Sequence, residues 1–368
     1  MQKCKQNDSD HTLGTDDHYL DCTEPNPDSN PILSQQKLPD DDPYDTLVLS
    51  GGSVNGITTL GALQYMWDKN KLKNIKKYYG TSIGSAISYL LIIGYEPTEI
   101  LLSMISEKII DNFKKINVID IANGDGGFSW DVLDDFLLEL TLSKCEQPMS
   151  FEDIHNRYNV DLICITYNLS KQKVEILSYE THPTLLCTAA IRMSCNIPLL
   201  FPRYKYLGDY YIDGGVVDNF PIGSVDPKGV VFGINLSIKP NCFKSNKSQL
   251  TSSTSPPNDS SGLEEPEQDT AESSTSADDE NNLTEGCDEV CLSNCSFSLQ
   301  DYIISIFTTP IQYHIQNKIR SFNKMSESTD SQLLTIPTLK IALNFSLTTN
   351  DQLEMFSHGY QYLKIYYA

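Results

Sequence analysis

Two short runs of β-forming residues each end in a glycine-rich turn and lead directly into a helical pattern. The first run is DTLVLSGG (45–52), and GITTLGALQYMWDKNKL follows it with apolar residues at intervals of three and four. The second run is NIKKYYGTS (74–82), and an apolar helix is predicted after it over 83–93. Strand, helix, strand, helix in succession predicts a parallel sheet, because parallel strands need a crossover connection between them.

Further strands are predicted downstream at VDLICITYNLS (160–170), KVEILSYE (173–180) and GVVFGINLS (229–237), and a helix is predicted over 299–322. We therefore expect an α/β fold with a mainly parallel central sheet and helices on both faces. In such a sheet, ligands bind at the carboxyl ends of the strands, where both glycine-rich turns are expected to lie.

The charge of the chain is concentrated in two segments. The 368 residues carry a net charge of −22, of which residues 1–45 hold eleven acidic residues against three lysines and residues 244–298 hold twelve against two. Both segments contain few apolar residues and are predicted to be disordered. The expected organisation is an acidic disordered tail over 1–44 and one domain over 45–368, interrupted by an acidic disordered insertion over 244–298.

The same charge argues against nucleic acid as a partner, because phosphate binding needs a basic surface. No apolar run approaches the length of a membrane span, and the first twenty residues lack the pattern of a signal peptide. We therefore expect a cytoplasmic protein that is at most peripheral at membranes. The sequence indicates no oligomeric state.

Ten cysteines in such a chain favour reduced core thiols over disulfides. Three of them lie in apolar or mixed segments that fit this role: Cys164, Cys187 and Cys195. Three others form a CxxxCxxxC run that leaves metal binding and palmitoylation open: Cys287, Cys291 and Cys295. Because the spacing differs from the usual zinc pairs and no histidine is near, no metal site is predicted.

The second turn, GTSIG (80–84), places Ser82 between Gly80 and Gly84. A GxSxG elbow needs this pattern, because the chain reverses sharply from strand to helix and the backbone passes close to itself. Ser82 is therefore a candidate nucleophile. The alternative is an ordinary turn that enters a helix.

The first turn, SGGSVNG (50–56), has two possible roles. A dinucleotide-binding GxGxxG loop would need glycine at position 53, which is Ser53 here. The role that fits better is an oxyanion hole, in which the backbone N–H groups of Gly51, Gly52 and Ser53 face developing negative charge.

A third glycine-rich element, YYIDGGVVDNFP, contains Asp213 after a short apolar run and before two glycines. The plain interpretation is a β-turn whose aspartate bonds its own backbone. Its combination with the other two turns, each at a predicted strand end, favours Asp213 as a base for Ser82.

The three elements GGSVNG (51–56), GTSIG (80–84) and DGG (213–215) together resemble the patatin-like phospholipases, over roughly residues 45–240 and 335–365. The resemblance implies a patatin-like fold and a Ser–Asp dyad without histidine. Ser82 would attack an acyl ester of a lipid, Asp213 would take its proton, and the loop amides would hold the oxyanion. The implied partner is a lipid at a membrane or lipid-droplet surface, and no cofactor is implied.

This sequence departs from the family pattern at two positions of the first turn. Ser53 replaces a glycine, which keeps the N–H donor but constrains a backbone that could need positive φ. Asn55 replaces a basic residue and is a candidate for contact with the loop or with a lipid headgroup. A neutral glyceride or a glycolipid would tolerate Asn55 better than a phospholipid would.

Two other functions stay open at this point. One is an α/β-hydrolase esterase with a triad of Ser82, Asp213 and either His314 or His358. The other is a catalytically inactive patatin-fold module that binds partners.

Overall fold

The computed structural model describes residues 38–39, 41–113, 118–123, 126–237, 299–325, 330–340 and 343–368. These ranges leave out most of the acidic tail predicted over 1–44. They also leave out all of the acidic insertion predicted over 244–298, which contains the CxxxCxxxC run. The division into tail, domain and insertion therefore stays a prediction.

The described residues form one eight-stranded sheet in the order β5-β6-β3-β2-β1-β7-β8, with β4 paired to β3. The strands are β1 (Thr46–Leu49), β2 (Lys77–Thr81), β3 (Asp161–Asn168), β4 (Lys173–Leu177), β5 (Tyr204–Tyr206), β6 (Asp209–Asp213), β7 (Val231–Ser237) and β8 (Gln332–Pro337). The five strands from β3 to β8 in this order are parallel, whereas β4 and β6 run antiparallel to β3. The prediction of a mainly parallel sheet is confirmed.

The helices of the described residues are α1 (Gly56–Asp68), α2 (Ile83–Ile92), α3 (Pro97–Ser106), α4 (Val118–Asn123), α5 (Asp131–Lys144), α6 (Phe151–Tyr158), α7 (Cys187–Ser194), α8 (Leu299–Met325) and α9 (Thr349–Tyr366). The two helices predicted after the glycine-rich turns are present as α1 and α2, and the predicted helix near residue 299 is α8. Within the described parts of the chain, no helix combines the length and the apolar character needed to cross a bilayer.

Alternate side chains of the central strands enter two separate cores. On one face, Leu47 and Leu49 of β1 lie in a large cluster with residues of α1, α2, α7 and α9. On the other face, Val48 packs in a smaller cluster with Ile315 and Phe322 of α8. Because a strand alternates its side chains, this division shows that helices cover both faces of the sheet, as the sequence predicted.

The topology brings the three glycine-rich elements to one edge. Strands β1 and β2 are parallel neighbours, so the turns that follow them lie side by side at their carboxyl ends. Strand β6 runs in the opposite direction beside β3, with Asp213 opposite Thr166, one position beyond the residue that pairs with the end of β2. Residues from three distant parts of the chain therefore meet at the end of β2.

Candidate active site

Ser82 occupies a sharp elbow between β2 and α2, with φ of 54° and ψ of −129°. Positive φ is strained for a residue with a side chain, and such strain concentrates at functional sites. The flanking glycines make the elbow possible. A Cβ on Gly80 would lie 2.4 Å from the backbone nitrogen of Ser85, and one on Gly84 would lie 2.6 Å from the carbonyl oxygen of Leu49.

The elbow points Ser82 at Asp213. The Oγ of Ser82 donates a hydrogen bond of 2.5 Å to Oδ2 of Asp213, across a separation of 131 residues in sequence. The other carboxylate oxygen, Oδ1, accepts a 2.6 Å bond from the N–H of Gly215. Both side chains are buried. Asp213 therefore accepts a hydrogen bond from the backbone of its own turn and contacts Ser82 at the same time.

Burial changes the acid–base chemistry of Asp213. Desolvation raises the pKa of its carboxyl group to about 6, although the hydrogen bonds from Ser82 and Gly215 act to lower it. A free aspartate has a pKa of about 3.9. The carboxylate at this position is therefore a stronger base than an exposed one, and it is still ionised at neutral pH.

The last residue of α7 and the residues just after it support both members of the pair, and sequence reasoning did not identify these supporting residues. The N–H of Ser82 donates to Oγ of Ser194 at 2.8 Å, and this hydroxyl donates to the carbonyl of Ile165 at 2.6 Å. The N–H of Asp213 donates to the carbonyl of Asn196 at 2.9 Å. The resemblance drew attention to CTAAIRMSCNIPLLFP as a segment, but nothing in its letters singled out these contacts.

Arg192 holds this segment in place. It is buried, and its Nη1 donates to Oδ1 of Asn196 at 2.7 Å. Its guanidinium group lies 4.3 Å from the ring centre of Trp130, and desolvation lowers its pKa to about 10. Aromatic faces thus take the place of water around this cation.

The first glycine-rich turn lies against the elbow, because a Cβ on Gly51 would lie 3.2 Å from the Cβ of Ser82. One part of the predicted oxyanion hole is corrected. The N–H of Gly51 donates to the carbonyl of Asn219 at 3.0 Å, so it is not available to a ligand. The Nδ2 of Asn219 donates back to the carbonyl of Gly51 at 3.2 Å.

The amides of Gly52 and Ser53 are left as the candidate donors of this loop, because no described residue accepts a hydrogen bond from either of them. Ser53 has φ of 51°, so the strain expected from its replacement of a glycine is present. Ser53 also lines the cavity that reaches Ser82.

The expected headgroup contact of Asn55 is wrong. Asn55 is fully buried, and its Nδ2 donates to the carbonyl of Lys340 at 3.1 Å. Its side chain therefore anchors the loop to the segment before α9. The absence of a basic residue at this position says nothing about the substrate headgroup.

The two histidines proposed for a triad are not part of this arrangement. His314 is exposed on α8, on the face of the sheet opposite α2. His358 lies on α9 and its Nε2 contacts the carbonyl of Pro337 at 2.8 Å. Among the described residues, the carboxylate of Asp213 is bonded to Ser82 and Gly215, and no histidine reaches it.

An apolar cavity opens beside Ser82. The volume of this cavity is about 130 Å³. Apart from Ser53 and Ser82, its lining is almost entirely apolar and comes from α1, α2, α3, α5 and the segment after α7; examples are Ile57, Ile87, Met104, Phe136 and Phe201. A lining of this kind fits an acyl chain better than a polar substrate.

The described cysteines carry no disulfide. Cys164 and Cys187 are buried and Cys195 is half-buried beside the cavity, as expected for core thiols. Burial raises the pKa of all three thiols. Within the ranges that the structure describes, no group of three or more histidine, cysteine or acidic side chains could hold a metal ion.

In this arrangement a serine hydroxyl lies within hydrogen-bond reach of a buried carboxylate, which is the geometry that a serine nucleophile and its base would need. Residues 47–226 match the family of patatin-like phospholipases, and this confirms the resemblance carried by the three motifs. All three lie inside the match, whereas the resemblance seen over 335–365 lies outside it.

Two curated proteins are similar to this chain over about half of its length. A "Probable lipid hydrolase 463L" of Invertebrate iridescent virus 6 is 36% identical over 185 residues, which are 49% of this chain and 62% of that protein. "Lysophospholipase NTE1" of Kluyveromyces lactis is 25% identical over 198 residues, which are 52% of this chain and 12% of that protein. The chain covers less than two thirds of the length of either relative.

Among solved structures, VipD from Legionella pneumophila aligns with a TM-score of 0.45 at 15% identity. The alignment covers 88% of this chain and 67% of that one.

Proposed function

We propose that this protein hydrolyses acyl esters of lipids through an acyl-enzyme on Ser82, with Asp213 as the base. The observation that carries the proposal is the 2.5 Å hydrogen bond between Ser82 Oγ and Asp213 Oδ2 at the mouth of the apolar cavity. The family match and the viral relative support a lipid substrate.

In the proposed reaction the Oγ of Ser82 attacks the ester carbonyl while its proton passes to Oδ2 of Asp213. The carbonyl oxygen gains negative charge, which the N–H groups of Gly52 and Ser53 stabilise. Collapse of this intermediate releases the alcohol, which takes the proton from Asp213. Asp213 then accepts a proton from a water molecule as the water oxygen attacks the acyl carbonyl. Collapse of this second intermediate breaks the bond between the acyl carbon and Oγ, Asp213 returns the proton to Oγ of Ser82, and the fatty acid is released.

The protein supplies three physical contributions to this reaction. The elbow holds Oγ and the carboxylate in contact before substrate binds, which removes the entropy of bringing them together. Burial raises the basicity of Asp213. The apolar cavity takes up the acyl chain and excludes water around the charged intermediate, where fixed N–H dipoles are most effective.

The proposal leaves the headgroup open between phospholipid, lysophospholipid and glyceride, because Asn55 is buried and carries no information about it. The cytoplasmic location also stays a prediction.

The direct test is release of fatty acid from a panel of phospholipid, lysophospholipid, galactolipid and diacylglycerol, together with labelling by a fluorophosphonate probe. Wild-type protein should release fatty acid and take the label, whereas Ser82→Ala should do neither. Ser88→Ala is the matched control, because Ser88 is also a buried serine, lies on α2 just beyond the elbow, and has an Oγ with no hydrogen-bond partner among the described residues.

The alternative of an inactive binding module gives a different result. A folded wild-type protein that takes no label and releases no fatty acid from any of the four lipids would show that the pair is not catalytic.

A further inference from the structure

The hairpin formed by β5 and β6 extends beyond the edge of the sheet at which Ser82 lies. Strand β6 pairs antiparallel with β3, with Tyr211 opposite Asn168, and Tyr206 pairs with Asp209 at the far end. The turn at Leu207 and Gly208 is therefore about 17 Å from Asp213, at about 3.3 Å per strand residue. It projects past the carboxyl end of β3, which is the edge of the sheet where Ser82 and Asp213 meet.

Two leucines near this edge have an unusual combination of backbone and exposure. Leu207 is 88% exposed with φ of 47°, and Leu199 is 69% exposed with φ of 70°. Turn positions with positive φ favour glycine, asparagine or aspartate, and leucine at such a position is strained. Exposure to solvent and positive φ are both unfavourable for leucine at these two positions. An apolar surface that covers the side chains would account for their presence.

The two leucines belong to one surface, which we call the hairpin surface: Leu169, Leu199, Leu207 and Tyr210. Three of these residues line a shallow cavity together with Phe201. Phe201 also lines the cavity at Ser82, so the cavity under the hairpin surface and the proposed acyl-binding site are neighbours that share a wall residue. The fourth, Leu207, is at the tip of the hairpin that carries Tyr210.

The hairpin surface also has a local charge opposite to that of the chain. The segments 168–175 and 203–211 contain Lys171, Lys173, Arg203 and Lys205 against Glu175 and Asp209, a net charge of +2 in a chain of −22. Asp209 and Glu175 lie in ion pairs with Lys171 and Lys173. Lys205 lies 5.4 Å from the ring centre of Tyr210, next to the leucine at the tip. Basic residues around exposed apolar side chains match the headgroup and acyl layers of an anionic membrane.

We propose that the hairpin surface docks on an anionic phospholipid bilayer, with Leu207 and Leu199 inserted below the headgroups. Docking in this orientation turns the edge of the sheet that carries Ser82 and Asp213 toward the bilayer. The choice of partner rests on the proposed lipid hydrolysis, but the surface is tested independently of catalysis.

The experiment is flotation with vesicles of phosphatidylcholine and with vesicles that also contain phosphatidylglycerol, using protein in a Ser82→Ala background. Leu207→Asn and Leu199→Asn should each lower the partition coefficient about fivefold or more on both vesicle types, because each removes a leucine from the apolar phase. Ile365→Asn is the matched control and should bind like the parent. Ile365 is 56% exposed in the last turn of α9, near Tyr367, which bonds to Gln332 of β8, the strand at the edge of the sheet opposite β5.

Two further measurements exclude a trivial loss of folding and separate charge from apolar contact. Leu207→Asn should unfold at the same temperature as the parent or higher, because asparagine is tolerated at positive φ. Lys205→Glu should weaken binding to the phosphatidylglycerol vesicles at low salt and leave binding to phosphatidylcholine almost unchanged.

The proposal is overturned if the leucine variants bind like the parent, or if the parent binds neither vesicle type. If either result is found while the wild type still releases fatty acid, the proposed docking surface is wrong and the proposed function is unaffected. Vesicle binding that depends on Leu207, in a protein that releases no fatty acid, would support the surface and remove the proposed function.

Discussion

The two glycine-rich turns at the end of neighbouring strands differ in what holds them. The elbow at residues 80–84 is determined by close contacts with the start of its own helix and with the adjacent strand β1. The loop at residues 51–56 is held by Asn219 and by the carbonyl of Lys340, which are 168 and 285 residues away from their partners in the chain.

This difference explains why the conformation of the elbow could be predicted from its sequence, whereas the free N–H groups of the loop could not. In the elbow, glycine is required wherever a Cβ would collide with backbone, so the pattern of residues reports the geometry directly. In the loop, the choice of which amides stay free depends on acceptors that come from elsewhere. The predictions below test whether the elbow carries the chemistry and whether the loop is held from a distance.

The largest effect is expected at the elbow. Ser82→Ala and Asp213→Ala should each lower the rate on a soluble short-chain ester by at least about 10³-fold, because the two act as a unit, and the double variant should be little worse than either. Single-turnover and steady-state rates of the three variants measure this. His314→Ala and His358→Ala should keep most of the activity, and a histidine variant as damaged as Ser82→Ala would restore the triad hypothesis.

The second effect tests the anchoring of the loop. Asn55→Arg should lower the free energy of unfolding by about 3 kcal/mol or more, because it places a charge without a partner in a fully buried position. Denaturant unfolding measures the change. The matched control is Asn112→Arg, since Asn112 also donates to a backbone carbonyl but is exposed.

If Asn55→Arg instead has wild-type stability and increases activity on anionic phospholipid relative to neutral glyceride, then residue 55 faces the substrate after all.

The third effect separates the stability of the elbow from its function. The folded pKa of Asp213 is about 6 and the unfolded value about 3.9, so its contribution to stability is complete below about pH 4 and is lost as the pH rises through 6. Asp213→Asn removes this loss. We therefore compare the free energy of unfolding of the variant with that of wild type at two pH values. The difference should favour the variant by about 2 to 3 kcal/mol more at pH 7.5 than at pH 4, while the variant loses activity.

The control for this comparison is Asp209→Asn. Its pKa is lowered by Lys171 and Asn168, so the difference from wild type should change with pH in the opposite direction. In the wild type, kcat/KM should fall below about pH 6 as Asp213 becomes protonated. A rate that stays constant down to pH 4.5 would contradict Asp213 as the base.

The smallest effect concerns Asn219, a positioning residue of the loop. Asn219→Ala removes the bond from its Nδ2 to the carbonyl of Gly51 and should lower kcat about tenfold with little change in KM, because the loop N–H groups act mainly on the transition state. Asn235→Ala is the control, since Asn235 is a buried asparagine that contacts Thr335 on β8, whereas Asn219 is half-buried. Equal effects of the two substitutions on kcat would show that Asn219 has only a structural role.

The sequence by itself determined the architecture of the parallel sheet. Strands β1 and β2 and the helices that follow them were predicted from apolar periodicity, because each pattern reports which face of a local element is buried. The turns at Ser82 and at Gly214 could also be predicted, because glycine occurs where the backbone has no space for a side chain. The combination of the three turns predicted Ser82 and Asp213 as a pair, but their shared edge depends on the register of the antiparallel strand β6 against β3.

Only the tertiary structure decided which partners complete the site. The acceptor of the Gly51 amide is Asn219, the acceptor of the Ser82 amide is Ser194, and Asn55 is directed to Lys340 instead of the cleft. These contacts join residues that are far apart in the chain, and their side chains carry no periodic signal. Hydrogen bonds of this kind depend on distances and angles that exist only after the strands have paired and the helices have packed on them.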